Sequence, residues 1–409
     1  MKTTLTLLAI LSTVAGAHAQ VSPEATAGTA ELQYSARYSQ SAAFYGGSLG
    51  DSQDAILSGN LEYANGFKRL PFSLTFGGGY TWNIAGTAYG NGPFENLSIS
   101  QGIVGRKWSI QVGDDVSYLK EAPITGFSGV PGTGEPISGS NPTPPTDQTI
   151  LTLNTRTVSN SANAEYQHTL SYATTFSFGG GSQLLRYPDG NGLDSNAQSA
   201  NAALNRRLNA RNSLSVQYSF TDFSYPGSNS SQPVSSLDAN TVLFGFQRQW
   251  NRRINTSASV GPEWIESPDS AVVPSSTRVS GNATVDDQLR FGSANLSYSH
   301  AASAGGGFLP GAEVDTISGG FGKEFEKKLT INLTGGYNRT SALGGEEEID
   351  GKFGAGMATM QLSQHFSAFA NYTATDQTTS ASLPSNALSG LWQMVSFGIG
   401  YTPREKRIK

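Results

Sequence analysis

Polar and apolar residues alternate along most of this chain. Phe72, Leu74, Phe76, Tyr80 and Trp82 interleave with Ser73, Thr75, Gly77, Gly79, Thr81 and Asn83. Leu214, Val216, Tyr218 and Phe220 interleave with Ser215, Gln217, Ser219 and Thr221, and Leu329, Ile331, Leu333 and Tyr337 with Thr330, Asn332, Thr334 and Asn338. A period of two sends the two sets to opposite faces, so each run predicts a strand with one apolar and one polar face. Short basic turns carrying an aromatic residue join the runs on one side: Gly66-Phe67-Lys68-Arg69, Gly105-Arg106-Lys107-Trp108, Leu204-Asn205-Arg206-Arg207, Trp250-Asn251-Arg252-Arg253, Leu289-Arg290-Phe291 and Phe325-Glu326-Lys327-Lys328. Longer stretches rich in Gly, Pro, Ser, Asn and Asp join them on the other. Strands of about 9–14 residues between short turns at one rim and long loops at the other are the pattern of a transmembrane β-barrel.

The pattern predicts an all-β fold: a closed antiparallel transmembrane β-barrel of about 18 strands between residues 29 and 402. Sixteen strands is the alternative, because the first pair and the region 290–311 are irregular; either even number returns both chain ends to one side. Aromatic residues gather at both ends of the runs. Phe67, Trp108, Tyr172, Trp250, Phe291, Phe325, Phe366 and Tyr401 lie near the short turns, and Tyr45, Trp82, Tyr118, Tyr187, Tyr225, Trp264, Tyr337 and Tyr372 near the long loops. Two such belts are expected where a barrel meets the two membrane–water interfaces.

Composition agrees with that reading. Only 37% of the residues are hydrophobic, a thin core for a soluble chain of this length but enough for a barrel that needs apolar side chains on one face alone. No stretch approaches the roughly 18 apolar residues of a membrane helix. The chain has no cysteine, so disulfides and thiolate metal sites are excluded. At the N-terminus, Lys2, the apolar run Leu5 to Val14 and Ala17-His18-Ala19 read as a signal peptide over residues 1–19. A short periplasmic segment (20–28), the barrel (29–402) and a basic periplasmic tail (403–409) follow.

The net charge is −5, and its distribution says more than its sum. Lys and Arg concentrate in the short turns and in Arg404, Lys406, Arg407 and Lys409. Acidic residues concentrate by the long loops, including Asp51, Asp54, Glu263, Glu266, Asp269 and Glu346-Glu347-Glu348. Sign separation between two rims sets up a field that biases which ions approach. It does not form a nucleic-acid footprint, since no face collects basic residues with interleaved aromatics. The expected partners are outer-membrane lipid and lipopolysaccharide, the barrel-assembly machinery, and small hydrophilic solutes or a polysaccharide; the sequence leaves the oligomeric state open.

The last strand, Val395-x-Phe397-x-Ile399-x-Tyr401, resembles the C-terminal targeting strand of outer-membrane porins. That resemblance implies an assembly signal at Phe397, Ile399 and Tyr401. It departs from the porin pattern in that Thr402 to Lys409 follow the final aromatic. Turns such as Leu204-Asn205-Arg206-Arg207-Leu208-Asn209-Ala210-Arg211 resemble those of β-barrel porins associated with exosortase and polysaccharide-export systems. In general porins the third long loop folds into the lumen. The loop at about 120–156 holds that place here, so the resemblance implies a pore constriction at Lys120, Glu121, Glu135, Asp147 and Arg156, against an external loop as the alternative.

Candidate chemistry is sparse. Gly46-Gly47-Ser48-Leu49-Gly50 matches the nucleophile pentapeptide of hydrolases, but it lies between two strands with no helix after it. His168, His300 and His365 are isolated near turns or strand ends and lack metal-ligand spacing. Asp189, Asn191 and Asp194 form an oxygen-rich loop reminiscent of a truncated calcium loop, without the terminal bidentate Glu. Glu346-Glu347-Glu348-x-Asp350 is a second acidic loop where a divalent cation could bind; no other cofactor is expected. The leading expectation is a non-enzymatic, cation-favouring channel for small hydrophilic solutes. An accessory barrel of an exopolysaccharide secretion system and, less well supported, an outer-membrane hydrolase using Ser48 are the rivals.

Overall fold

A computed structural model describes residues 30–45, 51–86, 91–121, 155–190, 192–226, 236–268, 273–305, 309–326, 328–380, 389–403 and 406–408. The leader, residues 20–28 and Ser48 lie outside these residues. The first six strands are β1 (Ala30–Tyr45), β2 (Ser52–Asn65), β3 (Phe72–Ala85), β4 (Gly92–Val104), β5 (Trp108–Glu121) and β6 (Thr155–Ser171). Next come β7 (Thr174–Arg186), β8 (Ser195–Arg207), β9 (Asn212–Ser224), β10 (Ser236–Gln249), β11 (Ile254–Glu266) and β12 (Ser276–Leu289). The last long strands are β13 (Gly292–Ser303), β14 (Ala312–Phe325), β15 (Leu329–Ala342), β16 (Glu348–Gln361), β17 (Phe366–Thr379) and β18 (Gly390–Tyr401), followed by a three-residue β19 (Lys406–Ile408).

Each long strand pairs antiparallel with the next, and β18 returns to β1 from Ala36↔Tyr401 to Tyr45↔Trp392, which closes the sheet. The eighteen-strand reading therefore holds, and β10 and β17 span the expected residues. β4 begins at Gly92, four residues before its expected start at 96. The Gly-Pro signal there reads as a turn, but Tyr80↔Pro93 extends the ladder and Phe94 is buried on the inward face.

The alternation sorts as expected. Outward positions such as Phe76, Leu214, Phe244, Val260, Leu333 and Phe397 are exposed and form the apolar face that meets lipid. Ser, Thr, Asn and Gln dominate the inward face.

Three short turns use one local device. In Leu208–Asn212, Trp250–Ile254 and Leu362–Phe366, the first residue's N–H donates to the carbonyl of the fifth at 2.9, 3.0 and 2.9 Å. The second residue's side chain caps the turn. Asn209 Oδ1 accepts from the amides of Arg211 and Asn212, Asn251 Oδ1 from those of Arg253 and Ile254, and Ser363 Oγ from those of His365 and Phe366. A short polar side chain that satisfies two turn amides makes such a turn self-sufficient.

Part of the tail joins the sheet. Lys406–Ile408 pairs antiparallel with Ala30–Leu32, on the edge of β1 that β18 uses further up. Pro403, which has no amide to donate, sits in the break between β18 and β19. The start of β1 would otherwise present an unpaired edge, and β19 covers it.

Candidate functional site at the loop-side mouth

Strand parity fixes what faces the lumen. Tyr34, Tyr38 and Phe44 point outward on β1, so Glu31 and Arg37 point inward; the same rule places Asp54 and Glu62 of β2 inward, opposite to the exposed Leu57 and Leu61. Asp115 of β5, Glu165 of β6, Arg207 of β8, Glu263 of β11, and Arg278 and Asp286 of β12 also fall on inward positions. Several carboxylates are held by neutral donors. Asp54 accepts from Asn83 Nδ2 at 3.1 Å, Glu62 from Asn60 Nδ2 at 3.1 Å and Glu263 from Thr241 Oγ1 at 3.0 Å. Carboxylates outnumber arginines on this wall.

From β15 to β18 the inward face carries no charged side chain. It presents Asn338, Thr340, Asn371, Thr373, Thr375, Gln377 and Ser396, with Phe353, Phe369 and Trp392 among them.

At the loop side the wall splits. The β12–β13 ladder ends at Gly281↔His300, yet β12 continues to Ser276 alongside β11 and β13 continues to Ser303 alongside β14. Past the split, the end of the β13–β14 hairpin lies on the lumen side of β11 and β12. Inward-facing Ser280 Oγ donates to the His300 carbonyl at 3.0 Å, and the Ala302 amide donates to Glu263 Oε2 at 3.2 Å. Arg278 pairs with Glu313. His300 bridges Glu313 Oε1 at 2.9 Å and Asp315 Oδ1 at 2.7 Å, and Asp315 also accepts from Tyr298 OH.

Beyond this polar latch the hairpin is anchored by apolar packing. Ala304 joins a buried cluster with Leu193, Phe223, Tyr225, Leu237, Ile265, Val273 and Leu343, drawn from strands and loops between β7 and β16. Gly311, at φ 85°, is the closest approach: a Cβ there would stand 3.0 Å from Leu237 Cδ2 and 3.1 Å from Leu343 Cδ1. The positive φ favours glycine, and a side chain there would press the two leucine methyls back by a few tenths of an ångström. Leu309, Ala312 and Ile349 form a second cluster beside the first. The lumen is therefore polar along its wall but apolar where loops fold over its mouth. Long loops carry apolar residues that need cover, and the inner wall is the surface that offers it away from lipid.

This packing corrects part of the expected loop-side girdle. Trp82, Trp264 and Tyr372 are exposed on the outer face as expected, but Tyr187 and Tyr225 turn inward and are buried. Tyr218 and Tyr298 take outward positions, donating to Asn240 and Asp315. All eight aromatics assigned to the short-turn belt are exposed.

Of the expected constriction set, Glu121 pairs with Thr155 at the last rung of β5 and β6. Lys120 and Arg156 are backbone partners at the loop-side end of β5 and β6. Arg156 has the parity of Val158 and Tyr166, so it stands on the outward face, 3.8 Å from Asp189. Glu135 and Asp147 lie outside the described residues. Of the oxygen-rich loop, Asn191 also lies outside them. Asp189 faces Arg156; Asp194 lies 3.7 Å from Arg186 and accepts from the Tyr187 amide at 2.8 Å. Among the described residues no three His, Asp or Glu side chains gather to hold a metal ion. In the second acidic loop, Glu348 pairs with Arg339 at 2.6 Å and Asp350 accepts from Tyr337. Phe397, Ile399 and Tyr401 face outward, with Gly398 between them where a side chain would strike the Tyr38 carbonyl and the Phe369 ring.

The latch was missed because its members come from four strands, β11 to β14. A signal was nonetheless present: His300, Asp315 and Glu313 continue the outward, apolar phase set by Leu296, Tyr298 and Ile317. Charges in the lipid phase of two adjacent strands mark the point where that face leaves lipid.

A closed barrel of eighteen antiparallel strands, with an apolar exterior between two rims, a polar interior and a wall charged mostly by carboxylates, defines the class: an integral barrel of a Gram-negative-type outer membrane. No protein-family model matches the chain, and no curated protein matches it significantly. The chain is similar to the solved structure of Pseudomonas aeruginosa OccK2 (OpdF), with a TM-score of 0.49 and 11% identity over 93% of this chain and 99% of that one. It is similar to Acinetobacter baumannii OccAB3, with a TM-score of 0.47 and 9% identity over 92% and 99%. It is also similar to P. aeruginosa OpdQ, with a TM-score of 0.44 and 9% identity over 91% and 98%. At these values the functional reading rests on this chain's own side chains.

Proposed function

We propose that the protein is a passive outer-membrane channel for small hydrophilic solutes and that it favours cations. The observation that carries this reading is the sign of the inward wall: Asp54, Glu62, Asp115, Glu165, Glu263 and Asp286 against Arg37, Arg207 and Arg278. Fixed charge on a narrow aqueous path sets ion selectivity without chemistry. The inturned β13–β14 end supports a path narrowed at the loop side, so solutes are small.

Reversal potentials of the reconstituted barrel under a salt gradient test the proposal. Cation preference is expected at about 0.1 M salt, where the Debye length is ~10 Å, and should fade toward 1 M, where it is ~3 Å. An anion preference at low salt would refute it.

A second reading is favoured by the charge-free β15–β18 arc, whose hydroxyls, amides and aromatic rings suit a neutral sugar chain. On that reading the protein guides an exopolysaccharide, and neutral oligosaccharides should block ionic current in long, resolvable events.

A further inference from the structure

Cations and aromatics meet twice on the outward face near the short turns. The Arg248 guanidinium lies 3.9 Å from the centre of the Trp250 ring, and Lys323 Nζ lies 4.1 Å from that of Phe325 and 5.5 Å from that of Phe291. Both cations continue the lipid-facing phase of their strands, after Phe244 and Phe246 on β10 and after Ile317 and Phe321 on β14. The rings are themselves exposed, and Trp250 is fixed by donating Nε1–H to Thr256 Oγ1 at 3.0 Å. A cation on the face of an interfacial ring is held where the acyl region gives way to headgroups.

The surrounding rim is basic in balance. Arg206 near the end of β8, and Arg211, Arg252, Arg253, Arg290 and Lys328 on the turns from there to β15, are exposed. Among the described residues, neither these cations nor Arg248 and Lys323 form an ion pair; the ion pairs found there lie at the loop side. Asp286, Asp287, Glu324 and Glu326 are the acidic residues of this arc. The β16–β17 turn beyond it carries only His365. Basic turns also join β2 to β3 (Lys68, Arg69) and β4 to β5 (Arg106, Lys107), but in the β8–β15 arc Arg248 and Lys323 add cations on the lipid-facing phase itself.

We propose that the outward face around Arg248–Trp250 and Phe291–Lys323–Phe325 is a binding surface for anionic phospholipid headgroups of the periplasmic leaflet. Each cation takes a phosphate oxygen, while the ring beneath it packs against the upper acyl chain. An acidic periplasmic protein would instead meet the tips of the turns. Arg248 and Lys323 lie on the flank of the barrel, beside the membrane.

Native mass spectrometry of the detergent-solubilised full-length barrel with added phosphatidylglycerol or phosphatidylcholine tests the surface. The barrel should retain phosphatidylglycerol preferentially. Arg248→Gln with Lys323→Gln should reduce that preference by about fivefold or more, since one cation near an anionic surface contributes about that factor. Arg339→Gln at the opposite rim should leave it unchanged, and heat-modifiable gel migration checks that each variant is folded. Equal retention of the two lipids overturns the proposal. So does a preference that survives Arg248→Gln/Lys323→Gln but is lost in Arg211→Gln/Arg252→Gln, which would move the binding to the turn tips and toward a protein partner. The readout is independent of conductance, so failure of the channel reading would leave it intact.

Discussion

The two rims of this barrel are built in opposite ways. At the short-turn rim, Asn209, Asn251 and Ser363 each cap their own turn with bonds spanning two or three residues. At the long-loop rim, the β13–β14 end is placed by Glu263, Arg278 and Leu237, which lie far off in sequence and on other strands. The first rim takes its form from local chemistry. The second takes its form only once the barrel exists. Assembly should therefore depend on the first rim and permeability on the second.

The largest expected effect tests the assembly side. Phe397→Ala with Tyr401→Ala should lower the yield of heat-modifiable barrel by about an order of magnitude, because both rings lie on the lipid-facing phase of the closing strand, where each contributes a large apolar surface. Ending the chain after Pro403 removes β19 and should cost less, since the β1–β18 ladder remains. Equal losses from the two changes would make β19 part of what the assembly machinery reads.

Next in size is the permeability side. Deleting residues 304–311 removes Ala304, Leu309 and Gly311 from the mouth. Single-channel conductance should rise severalfold while gel migration stays that of a folded barrel. Unchanged conductance would show that the hairpin end does not narrow the path, and loss of folding would show that the two rims are not separable. The smallest effect sharpens the local side: Asn251→Ala removes one two-amide cap and should cost about 1 kcal/mol, the net value of such a hydrogen bond. Denaturant unfolding in detergent reads that difference.

Much of the fold was legible because its rules are local. Alternation located eighteen strands, and the basic aromatic turns gave their order. The mouth was less legible, its one signal being charges in the lipid phase of β13 and β14. Tyr187 and Tyr225 sit at loop ends like the true girdle residues, but they continue the inward phase of Leu185 and Phe223, and Tyr225 joins the buried cluster with Leu237 and Leu343. The expected constriction was placed by analogy of loop position. Of its members, Arg156 takes the outward phase, because strand parity overrides loop membership. The pairing of Lys406–Ile408 was not legible for a similar reason: the edge that it covers exists only once the barrel has closed.

That edge has a topological consequence. Because Ala30–Leu32 and Lys406–Ile408 are neighbours in one ladder, the barrel is nearly a covalent ring with a single nick. The nick could be sealed by a short linker and reopened between β9 and β10 with every strand keeping its two partners. In such a circular permutant the Phe397–Tyr401 strand would become internal, which separates two properties that coincide in the natural order: being the strand that completes the sheet and being the strand made last.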